Sequence, residues 1–194
     1  HEDDAPLQVF RTVPGNHARD HLNQREIDVI AQEIFPRFGL CGRADTVGIV
    51  TPYRAQADAL QREASLCKAA ADTVDKFQGQ ERSTIILSTV DNDISDFADD
   101  DHRLNVAVSR AVDRLIVVTS GNRPRRHTSI GDLINYVGYH NMEVTDSKVC
   151  SVFDVLYRQY ADIRRQTLAR MKKVSQMDSE NLMFGLIEEV LKEE

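Results

Sequence analysis

Short β-branched apolar runs alternate with helically spaced apolar positions along the first three-quarters of the chain. Thr84–Val90 and Leu115–Thr119 are compact apolar runs between polar residues, and they predict buried strands. Leu7–Val13, closed by the turn signal Pro14-Gly15-Asn16, predicts another, as do Thr46–Val50 and the short Ala71–Val74. Between them, Ile27, Ile30, Ala31 and Ile34 share one face of a helix over Asn23–Phe35. Asn23 and Glu26 have the spacing of a capping box, and Pro36 and Gly39 are expected to end the helix. An Ala-rich helix follows Tyr53, with Leu60, Ala64 and Cys67 or Lys68 at helical spacing. A short one spans His102–Ala111, with Leu104, Val108 and Ala111 inward, and a third spans Ile130–Tyr139. An extended piece is expected around Met142–Val144. The alternation predicts an α/β fold with a mostly parallel sheet flanked by helices.

The character changes at Ser147. Arg158–Lys173 holds six basic residues and one acid, whereas Asp178–Glu194 holds six acids and one base, each with an apolar stripe. Two oppositely charged helices folding back as a hairpin are expected, a tail distinct from the α/β domain. The boundaries read as 1–146 and 147–194. His-Glu-Asp-Asp reads as an excised start, and the apolar stripe at the end predicts that more protein follows.

Composition narrows the class. Charged residues at 28% and hydrophobic ones at 41% are ordinary for a globular protein. Apolar runs are too short for a transmembrane helix, and no signal sequence opens the chain. The net charge of −7 disfavours a freestanding nucleic-acid binder, since phosphate neutralisation supplies most of such affinity. It permits a local contact surface within a larger protein. The three cysteines lack zinc-ligand spacing and are expected to be reduced thiols of a cytoplasmic protein. No Gly-x-x-x-x-Gly-Lys-Ser/Thr phosphate cradle occurs, so hydrolysis of a nucleoside triphosphate by the P-loop mechanism needs another domain.

Three motifs carry a resemblance. Thr51-Pro52-Tyr53-Arg54-Ala55-Gln56, Thr73-Val74-Asp75-Lys76-Phe77-Gln78-Gly79-Gln80-Glu81 and Leu104-Asn105-Val106-Ala107-Val108-Ser109-Arg110-Ala111 resemble motifs IV, V and VI of superfamily 1 helicases, in the family's order. The 1B branch, which includes the nonsense-mediated-decay helicase, is most similar. The resemblance implies the second, C-terminal of two RecA-like domains that sandwich one ATP. Mg²⁺ would be held mainly by the N-terminal RecA-like domain of the same parent chain.

The same resemblance implies residue roles. Arg110 would be an arginine finger, since a guanidinium is permanently charged and forked toward phosphoryl oxygens. Arg103, seven residues earlier, is a supporting candidate, and Arg54 would reach a phosphate. Glu81 would accept from the ribose, Gly79 would allow close backbone approach, and Tyr53 would lie beside the base. Thr51, Thr73 and Lys76 would grip single-stranded DNA or RNA without reading its sequence.

Two other readings stand beside this one. The domain is a non-catalytic interaction module, or the six aspartates within Asp91–Asp101 serve a metal-dependent nuclease. The aspartate run lacks the EF-hand pattern, and two-metal sites collect carboxylates from separate elements. A solvated acidic loop is the expectation there, and no metal site is expected.

Overall fold

The computed structural model describes residues 5–122, 128–140, 142, 144–151 and four positions further on, 163, 164, 167 and 168. The chain divides into two compact units, 1–149 and 150–194. The expected helical hairpin of the tail lies almost wholly outside the described residues.

The first unit is built on a six-stranded sheet, every pairing of which is parallel. Its strands are β1 (Leu7–Arg11), β4 (Val47–Thr51), β5 (Ala70–Thr73), β6 (Arg82–Ser88), β7 (Ala111–Thr119) and β8 (Val144–Asp146), in the order β5-β4-β6-β7-β1-β8. A hairpin of β2 (Ala18–Arg19) and β3 (Leu22–Asn23) precedes the first helix. Alternation within the apolar strands divides the core between the two faces. Phe10, Ile49, Ile86, Ile116 and Val118 belong to one cluster with α1 (Gln24–Val29). Val9, Val50, Ile85, Leu87, Leu115 and Val117 belong to the other, with residues of α4 (Asp101–Arg110) and α5 (Ser129–Tyr139). This is the RecA-like α/β arrangement expected.

Several boundaries differ for identifiable reasons. The first helix does not stop at Pro36. A π-helical stretch, Ile30–Ile34, runs into α2 (Phe35–Arg37), and Gly39 at φ 59° ends the segment. A proline ring crowds the preceding turn, and the wider π turn makes room for it. The helix after Tyr53, α3 (Arg54–Arg62), is shorter than its apolar spacing suggests, because the chain breaks to a 3₁₀ turn and then to left-handed Cys67 and Lys68. On α4 it is Ala107 that is buried, while Val108 is 43% exposed, so the inward face is rotated from the expected one.

The expectation of three thiols is corrected at two positions. Cys41 and Cys67 are joined by a disulfide, with Cα atoms 5.4 Å apart, and Cys150 is free. Their separation of 26 residues hid a proximity that the turns at Leu40–Thr46 and Ala64–Leu66 create.

Candidate functional site

An all-parallel sheet has two unlike edges, and the motif residues divide between them. β5 ends at Thr73, level with Thr51 at the end of β4. The next strand of the sheet, β6, is parallel to β4, so the chain must return before β6 begins. The segment Val74–Glu81 makes that return across one face. Phe77 is buried beside Gly48, where an added Cβ would lie 2.6 Å from its ring. Gly79, at φ 84°, lies in the turn that follows and has the backbone freedom this conformation needs.

Glu81 therefore lies at the edge where strands begin. Arg82 is in register with Ala111, so Glu81 and Arg110 flank one registered pair of neighbouring strands. Glu81 is exposed. The Arg110 guanidinium donates to Ser109 Oγ at 3.2 Å, and its Nε is buried without a hydrogen-bond partner. Arg82 repeats the pattern, since its Nε is also buried and unpartnered. Arg82 also donates to the Glu81 carbonyl and to Gln80 Oε1, so two guanidinium groups lie at the edge that carries the exposed Glu81 carboxylate. Arg82 escaped sequence reasoning, although its place directly after Glu81 was the available signal.

Tyr53 and Arg54 lie at the opposite edge, beyond Thr51. Seven residues of β6 separate the level of Glu81 from that of Ser88, about 23 Å of extended chain. One nucleotide was expected to meet Tyr53, Arg54, Glu81 and Arg110, and the sheet register sets the first two at the opposite edge from the last two. Apolar runs alone do not reveal strand direction, so the pattern could not separate the two edges. Arg103, the supporting candidate, lies seven residues of helix, about 10 Å, from Arg110.

The strand-end edge has its own organisation. The Tyr53 ring stacks on His21 at 4.3 Å and on Phe97 at 5.3 Å, and the Arg103 guanidinium lies 3.9 Å from the Phe97 centroid. The Tyr53 hydroxyl donates to Asp91 Oδ2 at 2.9 Å and lies 3.0 Å from Ser95 Oγ. Burial foremost holds its pKa above the usual phenol value. Arg54 is spoken for by Asp58 and Asp72, at 2.7 and 2.8 Å. Thr73 is half-buried and Lys76 is exposed. Thr51 is fully buried and its hydroxyl has no hydrogen-bond partner, so it presents nothing to a ligand in this conformation. A cleft of about 380 Å³ opens alongside, lined by Asp75, Gln78, Asp100, His102, Arg103 and Val106.

The aspartate run is more than a solvated loop. Asp91 holds Tyr53 and Ser95, while Asp100 caps α4 by accepting from the Arg103 amide at 3.0 Å. That amide bond holds the Asp100 carboxyl below its usual range. Asp99 accepts from the Ser129 and Ile130 amides at the start of α5, both at 2.9 Å, and Asp101 accepts from the Ser129 hydroxyl. Among the described residues no group of three His, Cys, Asp or Glu side chains could hold a metal ion. No described helix is long and apolar enough to cross a membrane.

Fold and motif order define a class, and comparison with known proteins agrees. Residues 7–122 match the AAA domain family AAA_12, a helicase-associated family, and the chain belongs to it as a superfamily 1 helicase motor domain. Over 141 residues the chain is 31% identical to the mouse DNA replication ATP-dependent helicase/nuclease DNA2, covering 69% of this chain and 12% of that protein. It is 33% identical over 105 residues to the human RNA helicase Mov10l1, covering 48% of this chain and 9% of that protein. The DNA polymerase alpha-associated DNA helicase A of Saccharomyces cerevisiae is 33% identical over 103 residues, covering 50% and 15%. The chain thus spans a small part of each of these relatives.

Proposed function

We propose that the chain is the second, C-terminal RecA-like motor domain of an ATP-dependent helicase, and that its two sheet edges have separate tasks. Gly79, Glu81, Arg82 and Arg110 at the strand-start edge meet ATP held on the P-loop of the N-terminal motor domain. Glu81 accepts from the ribose, and Arg110 acts as the arginine finger. Mg²⁺ is held by the first domain. Thr73, Lys76 and Tyr53 at the strand-end edge contact single-stranded DNA or RNA. Arg54 shapes that edge through Asp58 and Asp72.

One observation carries the reading. Glu81 and Arg110 flank a single registered pair, with the Arg110 Nε buried and unpartnered. A bound phosphate meets the terminal amino groups of the guanidinium, one of which donates to Ser109 Oγ. Closure of the first domain onto the edge brings the guanidinium to the phosphoryl oxygens, where it stabilises developing charge and moves no proton. Turnover then depends on the state of the strand-end edge, since one sheet joins the two.

The test is a pair of variants in the parent carrying both motor domains. Arg110→Ala is expected to lower ATP turnover by roughly 10³- to 10⁵-fold, with the Kd for a labelled oligothymidylate unchanged. Tyr53→Ala is expected to weaken oligothymidylate binding severalfold, because it removes the ring on which His21 and Phe97 stack at that edge. Unchanged turnover in the first variant would remove Arg110 from its role. Loss of ATP binding in the second, with oligothymidylate binding intact, would return Tyr53 to the nucleotide. The alternative of a non-catalytic interaction module predicts that neither variant alters turnover.

A further inference from the structure

Glu26 is fully buried on α1, and its carboxylate is surrounded by donors from the end of β6. The Ser88 hydroxyl donates to Oε2 at 2.6 Å and the Thr89 hydroxyl to Oε1 at 3.2 Å. The Val90 amide lies 3.0 Å from both oxygens. On its other side the Val90 carbonyl accepts from Asn23 Nδ2 at 2.7 Å. Gln56 of α3 closes the network by donating to Ser88 Oγ at 3.0 Å and accepting from the Asn23 amide at 2.8 Å. A single helix start thus grips both peptide groups of one residue.

That residue is held in an unusual state. Val90 has φ 72°, a left-handed conformation that a β-branched residue avoids unless its surroundings impose it. The residue after it is Asp91, which accepts from Tyr53 and Ser95. Release of Val90 to ordinary backbone geometry would swing Asp91 away and free the Tyr53 ring from its hydroxyl anchor.

We propose that Glu26 is a positioning residue for nucleic acid, clamping the Val90 turn so that Asp91 presents Tyr53 at the strand-end edge. This rests on the reading that Tyr53 contacts single-stranded nucleic acid. The Ser88 hydroxyl and the Val90 amide, which lies within reach of both oxygens, donate to the carboxylate, so its ionised form holds the clamp more firmly than the neutral acid. Desolvation raises the Glu26 pKa from 4.5 to about 7, against the Ser88, Val90 and Thr89 hydrogen bonds. Asp91 is the charged group facing it from the turn and raises it further, while Gln56 from α3 is neutral and Arg25 of its own helix is paired with Asp28. The clamp therefore loosens as pH falls through about 7.

The experiment measures binding of a fluorescein-labelled oligothymidylate to the two-domain parent across pH. For the unaltered protein the Kd is expected to rise severalfold as pH falls through about 7. Glu26→Gln, similar in shape but unable to ionise, is expected to raise the Kd about tenfold above pH 7 and to flatten the profile. KM for the oligothymidylate should rise with it, while kcat at saturation stays near that of the parent. Ser88→Ala keeps the carboxylate and should give an intermediate Kd, so the idea survives should Glu26→Gln fold poorly. If Tyr53→Ala weakens binding while Glu26→Gln leaves Kd and pH profile unchanged, the positioning role is overturned and the edge assignment stands. If Tyr53→Ala has no effect, the edge assignment falls and the clamp falls with it.

Discussion

At the scale of single residues, the buried carboxylate of Glu26 makes stability depend on pH in a direction opposite to that of a paired surface acid. Its folded pKa, about 7, lies above the reference 4.5, so protonation favours the folded chain. The favourable contribution is complete below about 4.5 and is lost as pH rises through about 7. Urea unfolding of Glu26→Gln against the parent chain is expected to show a stability difference that shifts toward the variant between about pH 5 and pH 8. A difference independent of pH would show that folding leaves the affinity of this carboxyl for its proton unchanged. Asn23-x-x-Glu26 was only half legible. Asn23 does cap α1 by accepting from the Glu26 amide at 3.2 Å. The reciprocal half of the capping box fails, because the Asn23 amide is taken by Gln56 and the carboxylate by β6, residues remote in sequence. A local spacing rule has no access to such partners.

Elements were more legible than their mutual placement. Continuous apolar runs located β4, β6 and β7, and helical spacing located α1 and α5, because burial on both sheet faces leaves a strong signature. The β2–β3 hairpin left none, since its turn uses Asp20 and His21 at φ 51° and 61° in place of the usual glycine. The return of Val74–Glu81 across the sheet was also hidden, although it decides which edge Glu81 occupies. That return depends on close packing at Gly48. Gly48→Ala would place a Cβ 2.6 Å from Phe77 Cε1 and 2.8 Å from Ile85 Cδ1. A cost of about 1–3 kcal/mol is expected from the overpacking, read as a lower denaturation midpoint. In the parent, ATP turnover should fall as well, because displacement of Phe77 carries Gly79 and Glu81 with it. Full activity and stability in Gly48→Ala would mean that the segment is not pinned there. Asp99→Ala removes the acceptor for two amides of α5, and a loss of about 0.5–2 kcal/mol is expected in the same measurement.

For the whole molecule, charge limits what the strand-end edge contributes to affinity. The chain carries a net −7, and the cations near Tyr53 are largely committed, Arg54 to Asp58 and Asp72 and Arg103 to the Phe97 ring and carbonyl. Lys76 is exposed on the return segment beside Thr73 and is the cation there best placed to meet a phosphate. Ring stacking and hydroxyl contacts, which salt screens little, then supply most of what this domain adds. Each phosphate contact on a single strand contributes about −0.7 to the slope of log K against log salt. Lys76→Ala in the two-domain parent is therefore expected to make the slope for oligothymidylate shallower by about 0.7, one contact's worth. Tyr53→Ala should lower affinity at every salt concentration and leave the slope where it was. A slope unmoved by Lys76→Ala would place the strand away from the return segment. A slope altered by Tyr53→Ala would mean that the ring sets the path of the phosphates, so that stacking and charge at this edge act as one unit.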